Sequence, residues 1–95
     1  MKQILAEDQR LVILRLLAEV NGQLNESVLQ DGLNEYGHQI SRAVVHAHLD
    51  FLEEVHTVEL KTFGTTRVAT ITQSGIDVAA GRQRISGIKR PLGMG

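Results

Sequence analysis

The chain has 95 residues, 42% hydrophobic and 22% charged, with a formal net charge of −1. That length builds one small domain, and the composition is that of a folded protein rather than a disordered one. Cysteine is absent and aromatics are only 3%, which excludes disulfides and thiolate metal centres and leaves the core to aliphatic side chains.

No apolar run approaches ~18 residues, so no membrane span is expected. The N-terminus lacks the basic, apolar and small-residue succession of a signal peptide. The charge is uneven. Residues 81–95 hold Arg82, Arg84, Lys89 and Arg90 without an acid, which leaves −5 on the rest. Duplex DNA attracts such a basic arm and repels such a body.

From Met1 to Val20 the spacing of Ile4, Leu11, Leu14 and Leu17 predicts a helix, with Ile13, Leu16 and Val20 widening its apolar side. So wide a side fits either a central helix covered from several directions or a dimer contact. Asn21-Gly22 ends it, with Gly22 suited to the left-handed position after a helix. Asn25 then caps a second helix whose inward side is Val28, Leu29, Leu33 and Tyr36. Gly32 inside it costs about 1 kcal/mol relative to alanine and allows the next helix to approach closely. Gly37 stops it.

Ser41 caps the third helix. Val45, His48, Leu52 and Val55 form its apolar stripe, broadened by Val44, Leu49 and Phe51. Arg42, His46, Asp50, Glu53 and Glu54 face the other way. After it, residues 57–62 alternate, Gly64 marks a turn, and residues 67–72 return rich in β-branched side chains, which predicts a hairpin. Thr72 caps a last short helix that Gly81 closes. Two capped helices joined by a short turn and followed at once by a hairpin make a winged helix-turn-helix. The expected fold is therefore mainly α with one β-hairpin, a single domain over 1–80, followed by a basic extended arm over 81–95.

Catalysis has no support. The chain has no nucleophilic cysteine, phosphate-cradling glycine loop or G-x-S-x-G elbow. Glu53 and Glu54 diverge on a helix and make no acid–base pair. His46 and Asp50 share a face, but His46 and His48 point to different sides. A zinc site would need further ligands from His38, His56 or another chain, so no metal or cofactor is expected.

The segment Ile40-Ser41-Arg42-Ala43-Val44-Val45-His46-Ala47-His48-Leu49-Asp50-Phe51-Leu52-Glu53-Glu54 resembles the recognition helix of bacterial winged-helix regulators of the ArsR and MarR type. The shared features are a serine start, a valine, a His-Leu and a Leu-Glu-Glu close. Residues 69–79, through Ile71-Thr72 and Gly75, resemble that family's exit from the wing. The likeness covers roughly Leu11 to Ala80. It departs at His56-Thr57-Val58, where the family has Gly-Leu-Val, and in the acidic residues after His46. Val78-Ala79-Ala80-Gly81-Arg82 and Gly87-Ile88-Lys89-Arg90-Pro91 are similar to the finish of small winged-helix proteins of Mu-like phages and prophages.

The resemblance implies a phage-type, DNA-binding transcriptional regulator. The few cations of the folded body make a homodimer the expected form on double-stranded DNA, and the absence of cysteine fits the cytoplasm of a bacterial host. Ser41, Arg42 and His46 would face bases or phosphate. Lys61, Thr65, Thr66 and Arg67 would lie on the adjacent backbone, and Arg82, Arg84, Lys89 and Arg90 would follow a groove. The alternative is an adaptor or assembly module that keeps the fold without strong DNA binding and contacts a phage or host protein.

Overall fold

The computed structural model describes residues 2–91. The elements run α1 (Lys2–Val20), β1 (Gln23–Asn25), α2 (Glu26–Glu35), α3 (Arg42–Glu54), β2 (Val58–Phe63), β3 (Thr66–Ile71) and α4 (Gln73–Ala79). The chain thus folds as a small mixed α/β domain of four helices and one three-stranded antiparallel sheet, ordered β1-β3-β2. The expected hairpin is β2 and β3, paired from Val58↔Ile71 to Phe63↔Thr66 across Gly64.

The third strand, β1, was not expected from the sequence. Gln23 to Asn25 are too few to alternate visibly, and they become a strand only because β3 lies alongside, with Leu24 opposite Ala69. Asn25 then ends the strand and caps α2, its side-chain oxygen accepting from the Val28 N–H at 2.8 Å.

Local stop and start signals act as expected at the other boundaries. Ser41 Oγ accepts from Val44 N at 3.2 Å and Thr72 Oγ1 from Gly75 N at 3.1 Å. After α1, however, it is Asn21 that turns left-handed, at φ 52, and not Gly22. Asparagine tolerates that region better than most side chains.

The core is aliphatic. Leu11, Val12, Ile13, Leu14 and Leu17 of α1 are buried, so this helix is covered from several sides. Ile4 at its start is exposed, as is Val44 of α3. The inward side of α2 narrows to Leu29 and Leu33, while Val28 and Tyr36 face outward. Gly32 does admit a close neighbour, but that neighbour is Leu16 of α1 rather than α3. A Cβ on Gly32 would lie 2.6 Å from Leu16 Cδ1.

The turn after α3 explains a departure seen in the sequence. His56 sits at φ 66, where an L side chain is disfavoured. Thr57 N donates to Leu52 O at 2.9 Å and His56 N to Glu53 O at 3.0 Å, the paired bonds of a helix end that favours glycine. Histidine stands where the resembled family has glycine. His56→Gly is therefore expected to stabilise the domain by about 1 kcal/mol, read as a higher urea midpoint at unchanged slope.

The arm beyond Gly81 is not extended over the described residues. Ile88 is buried in the core, Lys89 N donates to Glu7 O at 3.1 Å, and Arg10 Nη1 donates to Gly87 O at 2.9 Å. Ile85 and Ile88 supply apolar area that the sequence pattern had not placed in any element, and burying it holds the segment back on α1. Residues 92–95 of the expected arm lie outside the described residues.

Candidate nucleic-acid interface

The start of α3 stands free. Ser41, Arg42, Ala43 and His46 are all exposed. Arg42 is oriented from α2. Gln30 Nε2 donates to Ile40 O at 3.0 Å, and Gln30 Oε1 accepts from Arg42 Nε at 2.8 Å. That contact engages Nε and leaves the two terminal nitrogens of an exposed side chain without a partner among the described residues, free for two hydrogen bonds to one acceptor group. Gln30 is a residue that sequence reasoning missed. Nothing in its spacing marks it, because its partner is brought near only by the α2–α3 turn.

His46 is tied to an acid. Its Nδ1 lies 3.0 Å from Oε2 of buried Glu26. Further along the same face Asp50, Glu53 and Glu54 are exposed. Glu53 Oε2 accepts from the Leu60 N–H at 3.0 Å and so joins α3 to the hairpin.

The hairpin presents Lys61, Thr65 and Thr66, all exposed, together with Phe63, which is 63% exposed beside the turn. Phe63 was not among the expected site residues. Arg67 is not available in the same way. Its side chain is only 14% exposed and pairs with Asp50 Oδ1 at 2.6 Å and Glu26 Oε2 at 3.9 Å. A strand residue that reads as a phosphate contact in sequence is instead a brace between the sheet and α3.

Two of the four tail cations are likewise engaged. Arg82 donates to Asp77 Oδ1 from Nε at 3.1 Å and from Nη2 at 3.0 Å, and Lys89 Nζ lies 3.4 Å from Asp8 Oδ1. Arg84 and Arg90 make no ion pair among the described residues. Arg84, Lys89 and Arg90 border a hollow of about 370 Å³ that also includes Glu7.

This hollow and Arg42 do not share a surface. Gly87 lies against Phe51, whose ring carbon Cζ would be 2.6 Å from a Cβ there. Phe51 is nine positions beyond Arg42, about half a turn around the helix axis. The tail therefore packs on the side of α3 turned away from Arg42.

Behind α3 runs a polar seam that links α1, the α2–α3 turn and the tail. Arg10 Nε donates to His48 Nδ1 at 3.2 Å, so His48 carries its hydrogen on Nε2, which faces Gln9 Oε1 at 2.8 Å. Gln9 Nε2 meets His38 Nδ1 at 3.4 Å, and His38 Nε2 meets Asp8 Oδ2 at 2.7 Å. The Arg10 guanidinium also stacks 4.0 Å from the centre of the Phe51 ring. Burial, with the charges of Arg10 and His38 adding to it, holds the His48 imidazole down to about 4.

For Asp8, burial raises the pKa, but the hydrogen bond from His38 and the charge of Lys89 outweigh it and the net direction is down. Among the described residues no buried side-chain nitrogen or oxygen lacks a partner. The seam is thus a satisfied network within the domain. No group of three or more His, Cys, Asp or Glu among the described residues is placed to hold a metal ion. No helix of the described residues is long and apolar enough to cross a membrane.

No family model and no solved structure matches this chain. Two relatives do. An uncharacterized protein of Haemophilus influenzae is 49% identical over 74 residues, 76% of this chain and 72% of that one. The uncharacterized protein gp26 of Escherichia phage Mu is 50% identical over 88 residues, 93% of this chain and 92% of its own length. With half of its residues shared across nearly the full length of both proteins, the chain belongs to the family of phage Mu gp26.

Proposed function

We propose that this protein is a winged-helix DNA-binding protein of phage type, a regulator that reads duplex DNA with the start of α3. The observation that carries the reading is the Gln30–Arg42 contact at 2.8 Å, which holds an exposed guanidinium at the N-terminal end of that helix. Support comes also from the element order, a helix pair followed by a two-stranded ribbon with β1 alongside. A phage relative fits the setting.

Arg42 then takes a base edge or phosphate, Ser41 and His46 flank it, and Lys61, Thr65 and Thr66 touch the neighbouring backbone. Two free cations on this face give a salt slope of about 2 per protomer and about 4 for a homodimer, so useful affinity requires pairing of protomers. In that dimer the two α3 helices would stand about 34 Å apart, one turn of duplex.

Gel-shift titration of mixed-sequence duplexes across a salt series tests this reading. Arg42→Ala is expected to weaken binding about tenfold, and Lys61→Ala to lower the salt slope by about 1. Removing the tail is the wrong probe, because Ile88 belongs to the core. Unchanged affinity in both substitutions, or no binding at low salt, ends the reading.

A second reading, an adaptor that meets a phage or host protein, rests on a different observation. Arg67, Arg82 and Lys89 are paired with carboxylates of the domain itself, which removes three cations from any polyanion contact.

A further inference from the structure

An apolar groove of about 340 Å³ opens between the C-terminal half of α1 and the outer face of α2. Leu16, Val20, Leu24, Val28 and Gly32 form its walls and floor. Val20 is 53% and Val28 45% exposed. Gly32 adds no side chain of its own to the lining, and Leu16 Cδ1 packs where its Cβ would stand. Three carboxylates, Glu19, Asp31 and Glu35, complete the lining, and no cation does. None of the three makes an ion pair among the described residues.

We infer that this groove docks a basic amphipathic helix of a partner protein. The apolar floor rewards a row of aliphatic side chains, and a trough between two helices suits a helix laid along it. The rim selects the charge. An isolated carboxylate at the edge of apolar surface gains from a lysine or arginine brought beside it, and the same rim repels an acidic partner. Two copies of this chain meeting groove to groove would bring six carboxylates together, which argues against self-association there. The volume lies at the low end of small-ligand pockets, about 300–1,000 Å³, so it takes a few side chains and not a domain. The groove shares no residue with Ser41, Arg42, His46 or the hairpin, and the inference stands independently of DNA binding.

The test uses the full chain and two synthetic helical peptides of about 18 residues. Both carry leucines at i, i+4 and i+7. One has lysines flanking the leucine stripe and the other has glutamates. Fluorescence anisotropy is expected to show the lysine peptide binding about tenfold more tightly than the glutamate peptide. Val28→Asp should abolish binding of both, and Asp31→Lys with Glu35→Lys should invert the preference. Thermal melts of each variant establish that the fold is kept, since all three positions are exposed.

Inversion is the decisive result, because a merely structural role for these carboxylates would not produce it. Equal binding of the two peptides, no binding of the lysine peptide, or a preference untouched by the charge reversal would overturn the inference. So would concentration-dependent dimerisation that Val28→Asp removes, which would make a second copy the occupant.

Discussion

Replacing Gly75 by alanine is expected to destabilise the domain by about 3 kcal/mol, a loss of more than about 10 °C in melting temperature. Gly75 is the buried glycine in the first turn of α4. A Cβ there would run into the backbone carbonyl oxygen of Thr57 and meet Ile71 Cγ1 at 2.7 Å. That carbonyl is not free to retreat. It accepts a hydrogen bond from Thr72 N at 3.1 Å, and Thr57 itself is fully buried with its hydroxyl bonded to Leu52 O at 2.8 Å.

The closer of the two collisions is therefore backbone against Cβ, which no side-chain movement relieves. Gly37→Ala is the comparison. Gly37 lies at φ 86 with nothing within 4 Å of its would-be Cβ, so alanine there meets only the left-handed penalty, about 1 kcal/mol. Equal losses for the two variants in a thermal melt would mean that close approach at Gly75 is not what holds α4 against the α3–β2 turn.

Stability should also fall as the pH is lowered from about 6.5 to about 4, with most of the loss traceable to His48. This side chain is 5% exposed and its pKa is depressed from 6.5 to about 4 in the folded protein. Above 6.5 the imidazole is neutral in both states and its full contribution is present. Between the two values the unfolded chain takes up a proton that the folded chain refuses, so unfolding gains.

The slope approaches ~1.4 kcal/mol per pH unit, and the total loss is about 3 kcal/mol. Protonation would place a hydrogen on Nδ1, where Arg10 Nε already donates at 3.2 Å. Below about 4, Asp8 adds to the loss, since its pKa is lowered and protonation takes away its charge beside His38 and Lys89. Urea titrations at several pH values in this window read the slope directly. His48→Gln should flatten it, and a wild-type slope left unchanged by that substitution would place the acid sensitivity elsewhere.

Legibility in the sequence followed the range of the interaction. Asn25, Ser41 and Thr72 declared their helices because a cap is decided within three residues of itself. Strand β1 was hidden because Gln23 to Asn25 form a strand only in the presence of β3, some 45 positions away. At the candidate interface, the outward placement of Ser41 and Arg42 followed from the cap and the helical period. The fate of the cations did not. Whether Arg67 or Lys89 is free depends on Asp50, Glu26 and Asp8, which lie in other elements. The seam through Asp8, His38 and His48 was invisible for the same reason, beyond the placing of His48 on the apolar stripe of α3.

The way residues 85–89 are bolted to the first helix changes what their neighbours Arg84 and Arg90 can offer. A floppy basic arm searches a wide volume for its target and then loses conformational freedom when it is caught. Here Arg10, Gly87 and the amide of Lys89 have already fixed the chain on either side of Ile88. An anion that settled at these two arginines would meet a backbone already placed, with its ordering cost met during folding and no gain in capture radius from a sweeping tether.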